Sequence, residues 1–197
     1  IEAGGRFRAD GDLTFTDLEV GGLADIAGSA YGTHVKVAGR LAVAGGLQLT
    51  GRIEVGGQAR VRGDLRAVDL EIGGEGSARR AVLEGRAEVG GHVATAGGVF
   101  AHEIRLERRA TVVGPLVGAT VILGRKARAE AVYGRTVRLE DGSTATSVAG
   151  EVVSVGDRCE VGSLRYSHEL VVGREATFRV PPQKVESVTP FPTPANG

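Results

Sequence analysis

Over residues 37–67 a glycine returns at every sixth position: Gly39, Gly45, Gly51, Gly57 and Gly63. Two apolar columns keep step with it. One reads Val37, Val43, Leu49, Val55, Val61 and Ala67, the other Leu41, Leu47, Ile53, Ala59 and Leu65. A helix does not fit, because its apolar positions recur at three and four, and a glycine in its interior costs about 1 kcal/mol. Six residues do make sense as one short strand and one bend. Alternation along Leu41-Ala42-Val43 or Ile53-Glu54-Val55 sends two side chains inward and one outward. Glycine then supplies a tight change of direction. Three such units close a triangular coil of about 18 residues, and about ten coils fit before Val180. In that arrangement Leu41 stacks on Ala59 and Leu47 on Leu65.

The period returns downstream. Gly85, Gly91 and Gly97 are each followed two residues later by Ala87, Val93 and Val99. Near the end Val153/Val155 leads to Cys159/Val161, and Leu170/Val172 to Ala176/Phe178. The register slips near 68–70, and segments 73–80 and 114–118 read as irregular interruptions. An antiparallel meander is the competing reading, but it favours longer strands and hairpin dipeptides such as Asn-Gly. The only asparagine is Asn196. With 32 glycines, eight aromatic residues and no tryptophan, the core is thin and aliphatic. The expected fold is all-β: a single-stranded parallel β-helix over residues 1–180. Five of the six prolines lie beyond Val180. Pro181-Pro182 is expected to end strand pairing, leaving residues 181–197 as a proline-rich, largely disordered tail. The alternative is that Val185, Val188 and Phe191 pack the tail back along the solenoid.

Charge and motifs exclude several functions. Lys plus Arg and Asp plus Glu both number 24, so the basic excess of a nucleic-acid binder is missing and little repulsion holds copies apart. Cys159 has no partner for a disulfide and reads as a small buried apolar residue. No apolar run reaches the ~18 residues of a membrane-spanning helix. Hexad solenoids include acyltransferases that use a general-base histidine and γ-type carbonic anhydrases that hold zinc with three. A trimer of that type is the alternative reading. Here His34, His92, His102 and His168 are spaced so that three do not meet on adjacent coils. No phosphate-binding loop or nucleophile elbow occurs. Glu54, Glu71, Glu84 and Glu88 fall on outward positions beside Arg52, Arg66 and Arg86, which suits solvated ion pairs. No catalytic, cofactor-binding or metal-binding residue is expected, and no small-molecule substrate.

The tips of such a rod carry the functional expectation. Each tip exposes one apolar layer and a row of unpaired backbone groups, and no polar cap or amphipathic helix covers either. Phe7, Leu13 and Phe15 belong to the first coil, and Leu170, Val172, Ala176, Phe178 and Val180 to the last. Covering about six such side chains is worth roughly 10 kcal/mol, comparable with the ~4–15 kcal/mol cost of association. These eight residues form the expected self-association interface.

The glycine hexads, the proline-rich flank and the terminal Gly173-Arg174-Glu175-Ala176-Thr177-Phe178 resemble the bactofilins, polymer-forming cytoskeletal proteins of bacteria with relatives in archaea. The likeness spans about residues 7–180. It implies a right-handed triangular coil, a nucleotide-independent filament, no cofactor, and Phe178 at the polymer joint; hexads alone permit either hand. It also implies that the partner is another copy of the chain in the cytoplasm, with membrane association through a segment ahead of Ile1.

Overall fold

The computed structural model describes residues 1–188. Among them there are strands and turns and no helix. All strand pairings are parallel, and together they form one solenoid of about 11 turns. Three faces run along it. The first is built from Glu2–Ala3, Asp17–Val20, His34–Val37, Arg52–Val55, Asp69–Ile72 and Arg86–Val89. The second starts with Arg6–Ala9, Leu23–Ile26, Arg40–Val43 and Gln58–Val61, and the third with Leu13–Thr14, Ala30–Gly32, Leu47–Leu49 and Asp64–Ala67.

The stacking follows the hexads. Leu41 pairs with Ala59 and Leu47 with Leu65. The 18-residue step runs through the strict block, as Lys36 against Glu54 and Gln48 against Arg66 show, and recurs at Ala81 against Val99. The average spacing is about 17, because most coils outside that block drop a corner residue. Further along, the step falls to 16, with Val132 on Val148 and Arg138 on Ser154. Segment 73–80 is not an interruption. Glu75–Ala78 is a regular strand, with Gly76 paired to Ala59 on one side and Val93 on the other. The inward position looks empty in the sequence because Ile72 fills it from the preceding strand: a Cβ on Gly76 would lie 2.6 Å from Ile72 Cδ1. Segment 114–118 does carry an irregularity, a register shift between Val112 and Pro115.

Each coil contributes one aliphatic layer. Leu18, Val20, Ala24, Ile26, Leu41, Ile53, Ile104, Leu116, Val132 and Val153 are fully buried members of one continuous core. At the corner between the first and second faces, glycine is required by close approach. Gly22, Gly39, Gly57, Gly74 and Gly91 stack so that a Cβ on any of them would lie 1.9–2.1 Å from the carbonyl oxygen of the glycine one coil earlier. Five aspartate contacts reinforce the stacking from outside. Asp12 accepts from Ser29 N–H at 2.7 Å, Asp69 from Arg86 N–H at 2.8 Å, and Asp157 from Arg174 N–H at 2.8 Å. Asp141 accepts from Asp157 N–H at 3.2 Å, and Asp17 faces His34 at 3.0 Å.

Beyond residue 98 the construction changes. Short strands and glycine bends give way to long bent strands, Thr111–Leu123, Arg128–Leu139, Thr144–Val155 and Glu160–Val172, each wrapping all three faces. One tight turn per coil joins them, at 107–110, 124–127, 140–143 and 156–159, with a fifth at 173–176. Its third residue is left-handed every time: Arg109, Lys126, Gly142, Arg158 and Glu175 have φ of 53–69°. Its fourth residue is small and faces inward: Ala110, Ala127, Ser143 and Cys159 are fully buried, and Ala176 is partly so. Cys159 therefore sits where a small apolar residue was expected, within 3.4 Å of Ser143 Oγ. Pro181-Pro182 interrupts pairing without ending it, since Gln183–Lys184 adds a further strand on Arg165–Tyr166. Val185 N–H then donates to Tyr166 O at 2.9 Å. Residues 189–197, Phe191 included, lie outside the described residues.

Candidate self-association interface

The predicted interface residues fall into two groups at opposite tips. Ten steps of about 4.8 Å separate them, roughly 48 Å along the axis. At the C-terminal tip, Leu170 and Val172 continue the columns of Val153 and Val155, and Phe178 continues that of Val161. No further coil follows among the described residues. Leu170, Ala176 and Phe178 lie partly buried against the core. Val172, whose counterpart Val155 is buried, is 45% exposed; Val171 beside it is 52% exposed, and Val180, over the corner at Gly162 and Ser163, is 43% exposed. One apolar layer is thus half uncovered.

The N-terminal tip is better closed. Phe7 and Leu13 lie partly buried against the core, while Phe15 is only 9% exposed. Its ring lies over Gly32, where a Cβ would be 2.1 Å from the ring. Phe15 plugs the space left by the missing side chain one coil further in and so presents little surface outward. Ile1, 48% exposed, is the apolar residue the tip leaves open.

The backbone, by contrast, is left open at both tips. Among the described residues, Glu2–Ala3, Arg6–Ala9 and Leu13–Thr14 each pair on one side only. So do Thr177–Phe178 and Gln183–Lys184 at the other end. Peptide groups on these outer edges point along the axis with no ladder partner, which is the arrangement that recruits another strand. Tip charges are mixed. Glu2, Asp10 and Asp12 sit with Arg6 and Arg8 at one end, and Arg174, Arg179 and Lys184 with Glu175 and Glu186 at the other.

The histidines lie apart from one another. His34 is exposed against Asp17, His92 pairs in the second face with Glu75 and Thr111, and His168 contacts Ser167 at 3.0 Å. His102 sits at a corner, donating its backbone N–H to Gly85 O. Among the described residues no group of three His, Cys, Asp or Glu is placed to hold a metal ion. The outward carboxylates form surface pairs, Arg52 with Glu54 at 2.7 Å and Arg86 with Glu103 at 3.4 Å. No helix of the described residues is long and apolar enough to cross a membrane. No protein-family model, no curated protein and no solved structure matches this chain.

Proposed function

We propose that this protein is a structural subunit that assembles with its own copies, tip to tip, into a nucleotide-independent filament of the bactofilin kind. The observation that carries the reading is the partly uncovered layer of Leu170, Val172 and Phe178 above strand edges that have one neighbour each. Joining two tips removes aliphatic surface from water and gives the outer peptide groups partners in one step. A cytoplasmic scaffold, with any membrane attachment made through sequence ahead of Ile1, completes the reading.

Electron microscopy of the purified protein is expected to show filaments about one solenoid wide. Phe178→Arg places a charge in the joint, where it would be buried without a partner, and is expected to give short, discrete rods. Val172→Arg, at a position already open to water, is expected to do the same while leaving the core untouched. Filaments that persist in both variants would remove the C-terminal tip from the joint, and discrete particles from the parent protein would remove the proposal altogether.

A further inference from the structure

The turn stack between the first and second faces carries a concentration of cations that neither folding nor tip-to-tip assembly uses. Arg108, Arg125, Lys126, Arg128 and Arg158 line one groove at this corner, with Thr144 and the Gly142 backbone at its floor. Two carboxylates, Asp141 and Glu160, also line it, so the groove holds five positive and two negative side chains. None of the five cations has a carboxylate oxygen within 4 Å; the ion pairs of the described residues lie elsewhere. Asp141 accepts a hydrogen bond from Asp157 N–H at 3.2 Å.

The backbone sharpens the point. Lys126 and Arg158 occupy the left-handed third position of their turns, at φ of 59° and 53°. A side chain there costs of order 1 kcal/mol relative to glycine. Gly142 holds the equivalent position between them, and Arg109 and Glu175 hold it in the flanking turns. The stacking bonds are indifferent to the side chain: Lys126 N–H donates to Asp141 O at 3.1 Å, Gly142 to Asp157 O at 2.8 Å, and Arg158 to Arg174 O at 2.9 Å. Two of the five cations therefore stand in left-handed positions, and the groove keeps an excess of three positive charges with none of the five in an ion pair.

We propose that this groove is a binding site for a compact oligophosphate group, two or more linked phosphates presented by a small ligand. Guanidinium and ammonium donors converging from adjacent coils suit doubly charged oxygens. The flanks set the size. On the N-terminal side stand Glu107, its carboxylate against Gly90, and Arg109; on the C-terminal side stand Asp157, Arg174 and Glu175, so charge outside the groove is mixed. A long polyanion or a plane of anionic headgroups would run onto these carboxylates as well as cations, whereas a short ligand meets the positive excess of the groove alone.

The proposal stands independently of filament formation. Its test is calorimetric titration of the full chain with inorganic pyrophosphate and, separately, orthophosphate at low and at moderate salt. Saturable binding of pyrophosphate, at least about tenfold tighter than orthophosphate and weakening with salt, is expected. Lys126→Gly and Arg158→Gly each remove a cation while supplying the residue the turn favours. Each is expected to weaken pyrophosphate binding about tenfold without lowering the melting temperature. Equal binding of the two anions, or unchanged binding in both variants, would overturn the site. Retention on phosphatidylserine vesicles that pyrophosphate does not compete away would assign the groove to a lipid surface and equally overturn it.

Discussion

The fold lowers the proton affinity of Asp64. Burial pushes its pKa upward, but hydrogen bonds from Arg79 and Arg80, both at 2.8 Å, together with their charges, outweigh that and hold it below the ordinary carboxylate range. Asp64 in turn raises the affinity of Arg79 for its proton. A carboxyl group with a depressed folded-state pKa stabilises the protein above its unfolded-state pKa, and that contribution disappears as the pH falls through the lower folded-state value. Arg80 depends on this partner, since its Nε is buried with none of its own. Asp64→Asn is expected to cost about 1–2 kcal/mol at neutral pH and to flatten the acid limb of a denaturation profile. An unchanged acid limb would show that the cluster contributes nothing to the pH dependence.

Coils rather than residues are the units of this architecture, because each touches only its neighbours. Between Arg128–Leu139 and Thr144–Val155 the 16-residue step holds on all three faces, with Arg128 on Thr144, Val132 on Val148 and Arg138 on Ser154. Removing residues 128–143 should therefore seat Thr144–Val155 where Arg128–Leu139 was, with Thr144 following Ala127 as Arg128 did. The shortened chain is expected to keep a β-type circular dichroism spectrum and a cooperative melt a few degrees lower. Deleting residues 128–135 alone, half a coil, is expected to abolish cooperativity by putting inward columns on the wrong face. Sequence shows this coil logic where corners contain glycine at a fixed step, as at Gly39 and Gly57, and hides it where compensation acts between strands. Gly76 looked like a loop residue because the side chain that fills its place belongs to Ile72. The long strands beyond residue 98 break the hexad because two of their corners shrink to one or two residues. A usable signal was still present: small residues at 110, 127, 143, 159 and 176, each closing a turn, mark the coils at 16–17 residues. The cationic groove escaped notice for a related reason. Arg108 and Arg158 lie 50 positions apart in the chain, and the overall charge of zero conceals their convergence.

At the scale of the whole molecule the two tips are not equivalent. One begins with three short strands and a phenylalanine plug at Phe15, and the other ends on a bent strand, a left-handed turn and open valines. The exposed tip residues were legible in the sequence as the last members of apolar columns. Their unequal covering was not, because it depends on Phe15 leaning over Gly32.

The ladders that join successive coils have a mechanical consequence. Their hydrogen bonds lie along the axis, so tension applied between the chain termini loads one coil boundary at a time, starting at an end, while the remainder stays intact. Each coil that peels away frees about 17 residues, or roughly 57 Å of extended chain. Pulling single molecules in optical tweezers is expected to give a train of small, evenly spaced yielding events, and one abrupt rupture of the whole body would contradict it. A rod of this kind resists bending yet lengthens under overload by unwinding like thread from a spool.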